Sequence, residues 1–271
     1  MATDTATVSK AQKRKNNTAV SSLLSVDCHS HVLPEIDDGS DSVETSIKML
    51  EELKAQGISV VYATPHFRAH KDNVDEFLEN RQKALEKILS MDVGDRIPQI
   101  KLGAEIAVEP GISNVADIDK LTMGESRCIL LEYPYREYSR WATEEIENIA
   151  YRYDLVPILA HLDRYSEMFS KSDYAEILQI SSAIFQINNE AFKNRHAKKL
   201  LRFFKDESLP IVLGSDCHNL KSRKPNFTVS CKKMKKTEPA GAAAKFLELT
   251  QGEIPAQGNN AGFDKKVDAE E

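Results

Sequence analysis

The chain has 271 residues, a hydrophobic content of 41% and a formal net charge of −6 at pH 7. This length suits one large domain, because α/β barrels often use it whole, and the hydrophobic content excludes a globally disordered protein. The negative charge argues against a general nucleic-acid-binding protein.

Residues 1–24 are predicted to form a disordered polar extension, and residues 251–271 a mobile C-terminal tail. The first 22 residues lack the apolar core of a secretory signal, and no apolar run in the sequence is long enough to span a bilayer. The four cysteines show no C-x-x-C spacing, which suits a reducing compartment. We therefore expect a cytoplasmic protein.

Apolar, β-rich runs alternate with helical patterns along the body of the chain. The seven predicted strands span residues 22–28, 58–64, 97–106, 127–133, 155–161, 183–188 and 209–216. The predicted helices span residues 42–56, 73–90, 143–153, 173–181 and 191–205. Gly57 stands where a helix C-cap glycine is expected. The repeated β-then-α order predicts parallel strands with helical crossovers, and seven units favour a barrel over a doubly wound sheet.

Six of the seven predicted strands end in a histidine or a carboxylate. In chain order these groups are His29 and His31, His66, Glu105, Glu132, His161, and Asp216 with His218. The carboxyl ends of the strands form the active-site face of a (β/α) barrel. His29 and His31 can converge on one ion, because side chains at i and i+2 of a strand share a face. Asp38 can reach a neighbouring ion if the loop folds back at Gly39.

Each of these residues alone has an ordinary explanation, as a capping group or a strand-end charge, but their joint pattern indicates a metal site. A single catalytic zinc takes three protein ligands, so nine candidates imply two or three ions. Imidazole and carboxylate ligands without a thiolate cluster fit Mn²⁺, Fe, Zn²⁺ or Mg²⁺. Asp37 is interpreted either as a group that supports the ligands from behind or as a helix N-terminal charge.

The ordered motifs HSH, TPH, GAEI, LLEYP, AHLDRY and SDCHN resemble the PHP (polymerase and histidinol phosphatase) superfamily. They are most similar to the manganese-dependent tyrosine phosphatases of bacterial capsular and extracellular polysaccharide operons. The resemblance covers roughly residues 25 to 226. It implies an α/β protein with a distorted (β/α)₇ TIM-like barrel, and a PHP-type phosphoesterase domain at residues 25–250. It also implies two to three divalent ions at the strand C-termini, with Mn²⁺ as the expected metal.

The resemblance also assigns roles to individual residues. The implied metal ligands are His29, His31, Asp38, His66, Glu105, Glu132, His161, Asp216 and His218. Arg164 and Arg223 match the arginines expected to hold the phosphate, and Arg68 is a weaker match. Asp216 or His218 is the candidate proton donor. Seven cations lie between residues 221 and 236, and we interpret all of them except Arg223 as part of a solvated loop.

The implied reaction is hydrolysis of a phosphate monoester, with phosphotyrosine in a bacterial tyrosine autokinase as the expected substrate. A histidinol-phosphatase-like small-molecule phosphoesterase is the alternative. A metal-stabilised binding module is disfavoured, because such a protein would be expected to have lost ligands. Cys217 and Arg223 also form a C-x5-R pattern, but its interior lacks glycine and the neighbouring Asp216 disfavours a thiolate. The sequence leaves open whether the chain forms a homo-oligomer.

Overall fold

Parallel strands alternate with helices along the chain. The computed structural model describes residues 25–193 and 210–227. The strands are β1 (Val26–Ser30), β2 (Val60–Ala63), β3 (His66–Phe67), β4 (Gln99–Leu102), β5 (Glu105–Ala107), β6 (Cys128–Glu132), β7 (Val156–Leu159), β8 (Ile184–Asn188) and β9 (Ile211–Gly214). The α-helices are α1 (Val43–Ala55), α2 (Val74–Leu89), α3 (Arg140–Tyr153) and α4 (Lys171–Ile177). The predicted α/β class is confirmed.

The strands form two parallel sheets, with the orders β1-β2-β4 and β3-β5-β6-β7-β8-β9. The second predicted strand ends at Ala63 and is followed, after a break at residues 64–65, by the separate strand β3; the third predicted strand is broken into two pieces at residues 103–104. Pro65 lies at the first break and has no N–H to donate to a neighbouring strand. The predicted parallel α/β fold is thus confirmed. The predicted barrel is not, because the strands in the part of the chain that the structure describes form two sheets and no closed barrel.

The helix ends follow from local capping. Ser42 accepts a hydrogen bond from the Thr45 N–H at the start of α1, and Gly57 adopts the left-handed conformation (φ 94°) just beyond its end. Gly57 thus has the predicted C-cap role. The capping box of Ser170 and Asp173 starts α4 at residue 171, so this helix lies earlier than predicted.

The first and last strands are joined by polar contacts just beyond β9. The N–H of His31 donates to the carbonyl of Cys217 (2.9 Å), and the N–H of Asp216 donates to the carbonyl of His29 (2.8 Å). The buried Asp27 carboxylate accepts from the N–H and the hydroxyl of Ser215, at 2.8 and 2.6 Å. These hydrogen bonds fix the position of β1 relative to the segment that follows β9.

Several predictions concern residues outside the described ranges. They include the extension at 1–24, the tail at 251–271, the cations beyond residue 227 and most of the predicted helix at 191–205. Among the described residues, none of the helices combines the length and the apolar character that crossing a membrane requires.

Gly214 provides a test of close packing between β9 and its neighbours. A Cβ at this position would lie 2.6 Å from both the Cβ of His29 and the Nε2 of Gln186. Since these neighbours are buried and must move, we expect Gly214→Ala to lower the free energy of unfolding by about 1–3 kcal/mol in urea titrations. An unchanged stability of Gly214→Ala would contradict this packing.

Candidate metal centre

The strand ends bring the predicted site residues to one place. His29 lies in β1, and His31 is the first residue after the end of β1. His66 and Glu105 each lie three residues beyond the carboxyl end of a strand, β2 and β4 respectively, and they begin the short strands β3 and β5. Glu132 is the last residue of β6. The remaining histidine and carboxylate groups come from the segments after β1, β7 and β9. Parallel strands put these groups at one edge, as expected for the carboxyl ends of an α/β sheet.

Glu105 stands at the centre of the cluster. Its Oε2 lies 3.2 Å from His29 Nε2, 3.1 Å from His31 Nε2 and 3.1 Å from His66 Nδ1. Its Oε1 lies 2.7 Å from His161 Nε2. The side chain is only 1% exposed, so four imidazoles surround one buried carboxylate.

The other three carboxylates lie around this centre. Asp216 Oδ1 is 3.7 Å from His29 Nε2, 3.6 Å from His31 Nε2 and 3.6 Å from His218 Nδ1. Glu132 Oε1 is 3.3 Å from His161 Nε2. Asp38 Oδ1, on an exposed side chain, is 3.3 Å from His66 Nε2 and 3.8 Å from His218 Nε2.

These residues form four overlapping groups whose potential ligand atoms lie within 4.8 Å of one another. The groups are His31, Asp38, His66 and His218; His29, Glu105 and His161; His29, His31 and Asp216; and His66, Glu105 and Glu132. All nine residues proposed from the sequence belong to at least one group. The structure therefore brings the whole predicted set together, and its role in metal ligation stays a prediction.

The donor atoms fit a set of divalent ions. His29 Nε2 and His31 Nε2 lie 3.2 Å apart, with both atoms near the Glu105 carboxylate. Ligand atoms about 2.1 Å from one ion are separated by about 3 Å in an octahedral arrangement. The buried Nε2 of His218 has no hydrogen-bond partner among the described residues. A bound cation would satisfy such an atom.

The electrostatics keep the buried carboxylates ionised. Burial opposes ionisation of Glu105, but the charge of His29 and hydrogen bonds from His161, His29 and His31 hold the pKa of Glu105 well below its usual value. The pKa of Asp216 is likewise lowered: burial is outweighed by the neighbouring positive charges, His29 and Arg164 foremost. Ionised carboxylates are the form that binds a metal ion.

Two carboxylate or amide side chains orient the first pair of histidines. Asp37 Oδ2 lies 2.7 Å from His31 Nδ1, and it also accepts the N–H of His66 at 3.0 Å. This geometry supports the interpretation of Asp37 as a group behind the ligands. Gln186 Oε1 lies 3.0 Å from His29 Nδ1. Because the Nδ1 atoms are engaged, both rings direct Nε2 towards the cluster.

No polar role is predicted for β8 from the sequence, although this strand carries two buried groups of the site. Gln186 also accepts the N–H of His161 (2.6 Å) and donates to Asn188 Oδ1 (2.9 Å). Asn188 Nδ2 in turn donates to Asp216 Oδ2 (2.7 Å). A signal was present, because Gln186 and Asn188 stand at i and i+2 in an otherwise apolar strand and so share one face.

The two predicted phosphate-binding arginines flank Asp216. Arg164 pairs with Asp216 Oδ2, and its Nη1 lies 3.7 Å from Glu132 Oε1. Arg223 Nη2 lies 2.6 Å from Asp216 Oδ1. Both guanidinium groups are about one-third exposed, so each connects the buried cluster to solvent. For Arg68, the weaker match, the observed hydrogen bond is from its backbone N–H to Asp72.

Cys217 lies in a poor position for a nucleophile. The residue is fully buried. Burial raises the pKa of its thiol well above the usual value, and the nearby Asp27 and Asp216 raise it further. A thiol in this environment stays protonated at neutral pH, which argues against the C-x5-R reading.

Comparisons with known proteins agree with this geometry. Residues 25–249 match the family described as capsular polysaccharide synthesis, CpsB/CapC. The chain is 29% identical over 215 residues to the tyrosine-protein phosphatase CpsB of Streptococcus pneumoniae, covering 74% of this chain and 85% of the relative. It is 25% identical over 204 residues to the tyrosine-protein phosphatase YwqE of Bacillus subtilis, covering 73% and 79%.

A solved structure supports the fold. It comes from work on YwqE of Bacillus subtilis and CpsB of Streptococcus pneumoniae, which are described as metal-dependent tyrosine phosphatases. The TM-score is 0.66 at 21% identity, with 83% of this chain and 94% of the other chain covered. At this identity the likeness establishes the shared fold.

Gln186 provides a test of the polar support behind the ligands. Gln186→Leu removes the acceptor for His29 and His161, so we expect Mn²⁺ affinity of the metal-stripped protein to fall about 10- to 100-fold in calorimetric titrations. Gln179→Leu makes the same change at an exposed position and should leave the affinity unchanged. Circular dichroism would verify that both variants are folded. Equal affinities would contradict the role of Gln186.

Proposed function

The chain belongs to the CpsB/CapC family of capsular polysaccharide synthesis proteins, and on this premise we propose that it is a metal-dependent phosphatase that hydrolyses phosphotyrosine in protein. The observation that carries the proposal is the meeting of nine imidazole and carboxylate side chains with two guanidinium groups at one edge of the strands. This combination provides ligands for several cations and a binding site for a phosphoryl group.

The nine clustered residues are proposed to hold two to three divalent ions, with Mn²⁺ as the physiological metal. Their potential ligand atoms are imidazole nitrogens and carboxylate oxygens, a mixture that suits Mn²⁺, Fe, Zn²⁺ and Mg²⁺. Bound ions of this kind lower the pKa of a water molecule towards about 7 and polarise phosphoryl oxygens. Asp37, Gln186 and Asn188 would hold these ligands in position through hydrogen bonds to the sides of the ligands that face away from the ions.

Arg164 and Arg223 are proposed to bind the non-bridging oxygens of the phosphoryl group. A planar guanidinium can donate two parallel hydrogen bonds to such oxygens, which a lysine cannot do. Both groups are held beside Asp216 and are open to solvent on one side. They would therefore stabilise the negative charge of the transition state without first being reorganised.

The leaving oxygen of tyrosine needs little help from a general acid, because a phenol has a pKa of about 10. In the chain itself Asp216 has a lowered pKa. Burial, with the positive charge of His31, lowers the pKa of His218 to about 3. Both candidates are deprotonated at neutral pH, so these shifts favour solvent as the proton source.

The physiological substrate is proposed to be a bacterial tyrosine autokinase that regulates capsular or extracellular polysaccharide synthesis. We also propose a cytoplasmic location. The thiols of Cys28 and Cys217 are free and buried, as is usual in a reducing compartment.

We further propose that the two sheets act as one distorted seven-unit barrel. In support, β2 continues into β3 and β4 into β5 across two-residue breaks. The hydrogen bonds between the segments of His31 and Cys217 link the first strand to the last.

Metal removal tests the proposed chemistry. We expect about two to three divalent ions per chain by mass spectrometry, and turnover of a phosphotyrosine peptide that EDTA abolishes and Mn²⁺ restores. Cys217→Ser should retain this activity, because the thiol has no role in the reaction. Activity that survives EDTA and is lost in Cys217→Ser would overturn the mechanism. Metal-dependent turnover of histidinol phosphate alone would overturn the substrate.

Arg164→Lys tests the guanidinium contact while preserving the charge. We expect kcat/KM for the phosphotyrosine peptide to fall by about 10²-fold, since the two-pronged hydrogen bonding to the phosphoryl group is lost. The metal content should be unchanged. Arg140→Lys is the matched control, because Arg140 forms surface ion pairs with Glu144 and Glu176 on α3 and α4. Wild-type kinetics for Arg164→Lys would contradict the assignment.

A further inference from the structure

One exposed aromatic side chain lies in a segment that leads away from the metal centre. Among the described residues, the exposed large apolar side chains are Leu89, Met91, Tyr135 and Tyr151. Tyr135 is 74% exposed and follows the predicted ligand Glu132 by three residues. Of the other three, Leu89 ends α2, Met91 follows it by two residues and Tyr151 lies in α3, so none of them directly follows a strand that ends in a predicted ligand. The position of Tyr135 is therefore distinctive.

A fixed aromatic base holds Tyr135 near the cluster. The ring of Tyr135 lies 6.2 Å from the ring of Tyr165, and Tyr165 lies 6.1 Å from the ring of His161. Tyr165 is fully buried, stacks on Phe169 at 4.7 Å and donates its hydroxyl to the carbonyl of Tyr133. A rigid support of this kind limits the positions of the exposed ring.

The arrangement also places Tyr135 on the side of the cluster that carries Arg164. Arg164 immediately precedes Tyr165, and its Nη1 lies 3.2 Å from His161 Nε2. The Arg164 guanidinium and the exposed Tyr135 ring are thus both neighbours of Tyr165, the first along the chain and the second by ring contact.

We propose that Tyr135 contacts the aromatic ring of the substrate and so makes the site selective for aryl over alkyl phosphate esters. This inference rests on the proposed function and deepens it, because the metal ligands and arginines recognise only the phosphoryl group. Two aromatic rings attract each other at centroid separations of about 4.5–7 Å. A neutral tyrosine adds this contact without repelling the phosphate.

Two phosphonates that cannot be hydrolysed separate the ring contact from the phosphoryl contact. Phenylphosphonate and methylphosphonate carry the same anionic group, and only the first carries an aromatic ring. With the full-length, Mn²⁺-loaded protein, we expect calorimetry to give about 3- to 10-fold tighter binding of phenylphosphonate. Tyr135→Ala should bring this ratio close to 1 and leave the affinity for methylphosphonate unchanged. Tyr135→Phe should preserve the ratio.

Tyr151→Ala is the matched control, because it removes a tyrosine that is 93% exposed on α3. It should preserve the wild-type ratio. A ratio that stays the same in Tyr135→Ala, or a wild-type ratio near 1, would overturn the role of Tyr135 even if metal-dependent turnover of p-nitrophenyl phosphate is normal. Absence of that turnover, with no binding of either phosphonate, would instead overturn the phosphoryl site itself and this inference with it.

Discussion

The buried carboxylate of Glu105 sets the requirements for the rest of the site. Burying an ionised carboxylate in the protein interior costs several kcal/mol of free energy. Only a nearby opposite charge or a metal ion can offset a cost of this size. Glu105 meets this cost with four imidazole nitrogens within 3.2 Å. These imidazoles come from β1, its following segment, β3 and the segment after β7. The parallel strands must therefore end at a common edge, and the contacts between the segments of β1 and β9 hold that edge together.

Polar support behind the cluster explains how several histidines can share so small a volume. Each imidazole must present one particular nitrogen, and a hydrogen bond at its other nitrogen selects that orientation. Asp37 does this for His31, and Gln186 does it for His29. Gln186 also connects through Asn188 to Asp216, so β8 couples ligands from three separate parts of the chain. Close packing at Gly214 belongs to the same arrangement, because its Cα faces both Gln186 and His29.

The groups proposed to meet a substrate differ in character from those proposed to hold the metals. Arg164 and Arg223 are partly exposed and flank a buried acid, so each can contact an anionic group from the solvent side while it stays paired with Asp216. Tyr135 adds an apolar surface at the rim. Cys217, by contrast, lies buried between two predicted ligands and has a raised pKa. The same short motif thus contains an arginine proposed to bind phosphate and a buried thiol that stays protonated, and burial separates the two residues.

The sequence by itself determined the α/β class and the nine clustered residues. It could do so because strand periodicity and the polar residue after each apolar run are local properties, and because six ordered motifs matched one superfamily. Tertiary structure alone decided that strand pairing is interrupted at residues 64–65 and 103–104, that Gln186 and Asn188 contact the predicted ligands, and that Tyr135 is exposed. These features depend on which strands become neighbours and on what surrounds each side chain. Distances and burial of that kind arise only when segments far apart in the chain pack together.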